Sequence, residues 1–154
     1  MSRNTCCLDT SVLVKILVPE EGSDEAAQIL HRAIATGSSL VAPSFAWAEV
    51  GTVLKKKTRM GLITHEEANA LWDLFVALNI NYVEDKGIPR SAWDIATRFG
   101  LPTLYDAAFL AVCEIALEEG QGKVEFWTAD SELVAALRDL KPDYMRTLGK
   151  LHNC

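Results

Sequence analysis

The chain has 154 residues, 49% of them apolar and 23% charged, the composition of a soluble globular protein and not of a disordered or fibrous one. That length is most simply one domain, residues 1–154, able to bury roughly 70% of the surface its unfolded chain would expose. With 15 basic and 21 acidic residues the net charge is −6, which argues against a protein that holds nucleic acid chiefly by nonspecific attraction.

Helical patterns alternate with short strand-like runs, the signature of an α/β domain with a central, mainly parallel sheet flanked by helices. NTCCLD (4–9) reads as a strand, SVLVKILVP (11–19) as a short helix stopped near Pro19, and SDEAAQILHRAIATG (23–37) as a helix with acids in its first turn and Gly37 at its end. SSLVAP (38–43) is a second strand. SFAWAEVGTVLKKKTRMG (44–61) is a helix ending in basic residues, and THEEANALWDLFVAL (64–78) opens with a capping box of Thr64 and Glu67. INYVED (80–85) is a third strand, IPRSAWDIATRFG (88–100) a helix with Pro89 near its start and Gly100 past its end, and DAAFLAVCEIALEEG (106–120) a buried helix headed by Asp106. KVEFWTA (123–129) is the fourth strand, and SELVAALRDL (131–140) with the strand-like DYMRTL (143–148) closes the chain.

No apolar run is long enough to span a bilayer, and the opening MSRNTCCLDT has no extended apolar region before a small-residue cleavage site. A cytoplasmic protein without signal peptide or membrane anchor is expected. Cys6, Cys7, Cys113 and Cys154 show neither zinc-ligand spacing nor a disulfide framework and are expected to be reduced thiols. Cys6 and Cys7, adjacent on a strand, should point to opposite faces of the sheet.

Four acids stand out by position. In open parallel sheets, ligands sit outside the carboxyl ends of the strands. Asp9 follows NTCCL and Asp130 follows KVEFWTA, each just before a helix, so adjacency of the two strands would bring their carboxylates together. Glu49 shares a helical stripe with Phe45 and Val53, and Asp106 stands at the mouth of an otherwise apolar helix. Each aspartate taken singly suits a helix N-cap, and Glu49 suits a surface glutamate with a buried stem. As a set they fit hard oxygen ligands for Mg²⁺ or Mn²⁺.

LDTSVLVK, AWAEVGTVL, LYDAAFLAVCE and FWTADSEL, in that order across nearly the whole chain, resemble the PIN-domain ribonucleases of the VapC toxin type. The resemblance implies a parallel sheet between helices and an endoribonuclease site in which Asp9, Glu49, Asp106 and Asp130 form a catalytic, metal-binding quartet. It also implies a polar residue near the metal, for which Ser11, Thr128 and Ser131 are candidates. The partners implied are an RNA substrate, a second copy of the chain in a homodimer, and an antitoxin protein of a type II toxin–antitoxin pair.

Metal-assisted RNA hydrolysis needs no histidine or lysine as general base, consistent with His31, His65 and His152 lying outside every motif above and reading as surface residues. KKKTRMG (55–61), Arg90 and Arg98 are candidate RNA contacts, although lysines ending a helix also suit its dipole. Leu71, Trp72, Leu74, Phe75 and Leu78 make their helix apolar on more than one face, which fits a core helix or a surface for self-association or an antitoxin segment. Two rival functions remain open. Asp9 before Thr10 and Ser11 faintly resembles the aspartyl nucleophile of haloacid-dehalogenase-like phosphatases, but Ser11 stands where their second aspartate would be. An RNA-binding or regulatory module of the same fold, without turnover, is the non-enzymatic alternative.

Overall fold

The computed structural model describes residues 3–120 and 122–149; Cys154 and His152 lie outside them. Five strands form one sheet in the order β3-β2-β1-β4-β5, every neighbouring pair parallel. They are β1 (Thr5–Leu8), β2 (Ser39–Pro43), β3 (Ile80–Val83), β4 (Val124–Thr128) and β5 (Met145–Thr147). The helices are α1 (Thr10–Leu17), α2 (Ser23–Ala35), α3 (Ala46–Arg59), α4 (His65–Val76), α5 (Ile88–Phe99), α6 (Leu104–Glu118) and α7 (Ser131–Leu137). All twelve match elements expected from the sequence. The chain winds outward from β1 through β2 to β3, then crosses back to β4 on the other side, so the topological switch point lies between β1 and β4.

Two apolar layers sandwich the sheet. Cys7, Val41, Phe126 and Met145 pack with α5, α6 and α7, whereas Cys6, Leu8 and Leu40 pack with α1, α2 and α3. Cys6 and Cys7 therefore do point to opposite faces, as strand geometry requires, and both are free thiols, as is Cys113. Burial pushes the Cys6 thiol up to about 12, which keeps it protonated and inert. α6 is buried at every position from Ala107 to Cys113. Ala107, Ala108 and Ala111 let it approach the sheet closely, and this depth carries its first turn to the carboxyl ends of the strands.

Local signals set the element ends. Thr64 and Glu67 form the capping box, with the Glu67 N–H donating to Thr64 Oγ1 at 3.0 Å and the Thr64 N–H donating to Glu67 Oε1 at 3.2 Å. Gly100 ends α5 in the left-handed region, φ 65°, where a side chain would be strained. One boundary moves: α6 begins at Leu104 with Thr103 at its N-cap, so Asp106 is the third helical residue and not the head. Pro102 and the extended Thr103 set that start, and the apolar pattern alone does not register it. No single helix among the described residues is long and apolar enough to cross a membrane.

On α4, Phe75 alone is fully buried, with Leu71, Trp72 and Leu78 packed against it while Leu74 remains 63% exposed. The helix is thus part core, part surface. His31 and His65 are exposed, as expected.

Candidate metal centre

β1 and β4 run side by side with Leu8 opposite Trp127, and the Asp9 N–H continues the ladder by donating to the Trp127 carbonyl at 3.0 Å. The chain leaves both strands at the switch point. Asp9 and Asp130 each cap the helix that follows, Asp9 accepting from the Thr10 N–H at 2.8 Å, and Asp130 Oδ1 from the N–H groups of Glu132 (2.9 Å) and Leu133 (3.2 Å). Capping and clustering coexist here. One carboxylate oxygen of Asp9, Asp106 and Asp130 each lies within 4.8 Å of the others.

Two hydroxyls tie the strand ends together. Ser11 Oγ accepts from the Ala129 N–H and Thr128 Oγ1 from the Asp130 N–H, both at 3.0 Å. Each hydroxyl proton is therefore left for Asp9 Oδ2, which receives both at 2.8 Å. Ser11 and Thr128, two of the three polar candidates, thus orient Asp9 directly. Ser131 is exposed at the start of α7 and makes no hydrogen bond to these carboxylates.

Asp106 is different. Its carboxylate caps nothing and accepts no hydrogen bond among the described residues, although it projects from the first turn of α6, where the helix dipole favours negative charge. Glu49, half-buried on α3, lies outside the group of three; Thr10 Oγ1 donates to its Oε1 at 3.1 Å. Thr10 was not anticipated from the sequence. Its place one residue after Asp9, next to a helix start, is the signal that would have marked it.

Burial and mutual repulsion disfavour charge on this cluster. Burial pushes the Asp9 carboxyl up to about 6 against the hydrogen bonds of Thr128 and Ser11, which favour the ionised form. Burial likewise pushes Asp106 up to about 6, reinforced by the charges of Asp9, Asp130 and Glu132. Glu49 is raised by burial and by Asp106, partly offset by Thr10. Glu132, two residues beyond Asp130, is thus a further acid in the field of the site that sequence reasoning passed over. An all-oxygen donor set, converging and short of positive charge, fits a hard divalent cation.

The candidate RNA contacts fall into two groups, Arg90 with Arg98 on one groove and Lys55 with Arg59 on another. Lys57 pairs with Glu20 at 3.4 Å, Arg98 with Glu114 at 3.5 Å and Arg90 with Asp94 at 3.9 Å. Lys55 and Arg59 border a groove of about 490 Å³ between α3 and α4, floored by Trp47, Gly51 and Trp72.

A family model described as PIN domain matches residues 6–136. Solved structures of similar fold include VapBC2 from Rickettsia felis bound to a DNA fragment from its promoter, at 12% identity and a TM-score of 0.63, covering 93% of this chain and 98% of that one. PAE2754 from Pyrobaculum aerophilum is 20% identical with a TM-score of 0.60, covering 97% and 96% respectively. The sarcin-ricin loop cleaving toxin VapC20 of Mycobacterium tuberculosis is 16% identical with a TM-score of 0.56, covering 82% and 92%. No curated protein matches the sequence significantly.

Proposed function

This chain belongs to the PIN domain family, and on that premise we propose that it is a metal-dependent endoribonuclease, the toxin of a type II toxin–antitoxin pair. The observation that carries the reading is the convergence of Asp9, Asp106 and Asp130 within 4.8 Å at the β1/β4 switch point. These three carboxylates would hold Mg²⁺ or Mn²⁺, with Glu49 completing the quartet from α3. When bound, the cation would supply positive charge to phosphate oxygens and would lower the pKa of a water, the proposed nucleophile.

The protein's own groups set the stage for that chemistry. Ser11 and Thr128 fill Asp9 Oδ2 and the Thr10 N–H takes one site on Oδ1, so the acceptor site left for a cation is on Oδ1. Asp130 uses Oδ1 to cap α7, which leaves Oδ2 without a hydrogen bond among the described residues. Asp106, whose carboxylate accepts no hydrogen bond among the described residues, is available to a cation. Thr10 positions Glu49 at the edge.

Total RNA incubated with Mg²⁺, and in parallel with a chelator, tests the reading. Cleavage only with the cation, leaving 5′-phosphate and 3′-hydroxyl ends, is expected because water and not the ribose 2′-hydroxyl is the nucleophile. Recovery of 2′,3′-cyclic phosphate ends would rule the mechanism out. Asp9→Asn or Asp106→Asn should abolish cutting without unfolding the chain. The aspartyl-phosphatase alternative needs a second aspartate at position 11, where Ser11 instead donates to Asp9 Oδ2.

For partners, the reading is a homodimer that also binds an antitoxin. The α3–α4 surface supports this: Trp47, more than half exposed, lines the Trp72 groove, and Leu74 and Val76 elsewhere on α4 are also more than half exposed. VapBC2 from Rickettsia felis, seen bound to a DNA fragment from its promoter, has the same fold. An apolar antitoxin segment would lie in the groove, with a basic side chain reaching the acids.

A further inference from the structure

Immediately beside the carboxylate cluster lies an apolar groove of about 470 Å³, walled by Pro43, Phe45, Val83, Ile88, Leu104 and Tyr105. Tyr105 directly precedes Asp106, so their Cα atoms are about 3.8 Å apart. Tyr105 is 57% exposed, and Leu104 beside it 43%. The ring is nonetheless held: Phe45 meets it edge-on at 5.3 Å and 79°, and Phe45 is braced in turn on the buried Phe109 at 6.3 Å and 89°. That perpendicular contact still leaves more than half of Tyr105 open to solvent.

An exposed aromatic side chain at fixed orientation, next to metal-binding acids, is what a splayed nucleobase requires. The charges on the rim point the same way. Glu84 and Asp85 stand against Lys86, so the groove does not attract a phosphate, while a neutral heterocycle meets an apolar wall there. Asp85 is already engaged by the Gly87 N–H at 2.7 Å.

We infer that Tyr105, braced by Phe45, is a stacking platform for one unpaired base of single-stranded RNA adjacent to the phosphate at the acidic site. The identity of the ligand rests on the nuclease reading; the platform itself rests on geometry. Because stacking on an aromatic ring tolerates any base, it positions the strand without dictating sequence.

The test is equilibrium binding of an end-labelled single-stranded hexaribonucleotide, followed by fluorescence anisotropy in Ca²⁺. Tyr105→Leu keeps the apolar contact with Phe45 and removes the ring; Tyr105→Phe keeps the ring and removes the hydroxyl. Tyr105→Leu should weaken binding roughly 5- to 150-fold, the range for one base–aromatic stack, and Tyr105→Phe should bind within about twofold of wild type. A hexamer with one abasic nucleotide should lose a similar factor with the wild type at one position, and lose nothing more with Tyr105→Leu. Wild-type affinity in Tyr105→Leu, equal losses in the Leu and Phe variants, or no RNA binding by the wild type would each overturn the platform. The first of these is the result expected if the groove takes a protein segment instead. Cleavage in Mn²⁺ is scored separately: Tyr105-dependent binding without cutting keeps the platform and removes the nuclease, and cutting and binding indifferent to Tyr105 do the reverse.

Discussion

Asp9 is 4% exposed and carries three donated hydrogen bonds, yet its carboxyl titrates at about 6 because burial outweighs them. The consequence for stability has a definite sign. Unfolded, the group titrates near its ordinary value of 3.8; folded, Asp9 and Asp106 hold protons more tightly, so their contribution is fully present below that value and is lost as pH rises through about 6. For the buried Asp9 the loss amounts to about 3 kcal/mol. In chelator, Asp106→Asn should therefore be more stable than wild type at pH 7, with the difference shrinking toward pH 5. Urea denaturation at both pH values measures it, and a gap independent of pH would mean that repulsion in the cluster is negligible. Thr128→Val isolates the clip between the strand ends. It leaves the Asp130 N–H without its acceptor and Asp9 Oδ2 with one donor fewer, so a loss of about 1–3 kcal/mol is expected, together with weaker metal binding. Chemical denaturation and titration with Mn²⁺ read the two effects separately.

Helix ends and helix faces, one scale up, decide how rigidly those residues are presented. α4 begins with a reciprocal capping box remote from the acids. Thr64→Ala should lower stability by about 1 kcal/mol and leave cleavage untouched, which thermal melts and an RNA assay together check. α6 offers the contrasting case. Ala111 is fully buried between sheet and helices, so Ala111→Leu forces the helix outward, at about 1–3 kcal/mol, and displaces Asp106 with it. Loss of activity beyond the loss of folded protein is the expected result. Gly51 in α3 lets Trp72 pack against the helix: a Cβ there would stand 3.1 Å from the indole. The groove of α3 and α4 depends on that contact.

The whole molecule is held in one arrangement by a sheet whose centre, β1, is buried at all four positions. A cation that binds only the folded state should stabilise it by about 2.7 kcal/mol at a hundred times its Kd, and Asp106→Asn should lose most of that increment. Thermal melts with chelator and with Mn²⁺ settle this, since equal shifts in both proteins would remove Asp106 from the metal site. For assembly, light scattering should report a homodimer. A monomer at working concentration would count against the dimer and leave the nuclease standing.

The sequence by itself determined the twelve elements, because period-2 and period-3.6 patterns, the Thr64 capping box and Gly100 are local signals that need no partner to be read. It also singled out Asp9 and Asp130 as strand-end acids. What it could not carry was the order β3-β2-β1-β4-β5, and with it the adjacency that joins Asp9 to Asp130, since strand pairing is decided by packing among distant segments. Nor did it distinguish caps from clustered acids: Asp9 and Asp130 each cap a helix and also join the carboxylate cluster, and Asp106 is no cap because α6 starts two residues earlier. The part played by Thr10 in holding Glu49, and the braced, exposed Tyr105 beside Asp106, likewise exist only once α1, α3 and α6 converge on one end of the sheet. A hydrogen-bond partner 39 residues away, or a ring braced by one 60 positions earlier, follows from burial against a shared core, which no local pattern encodes.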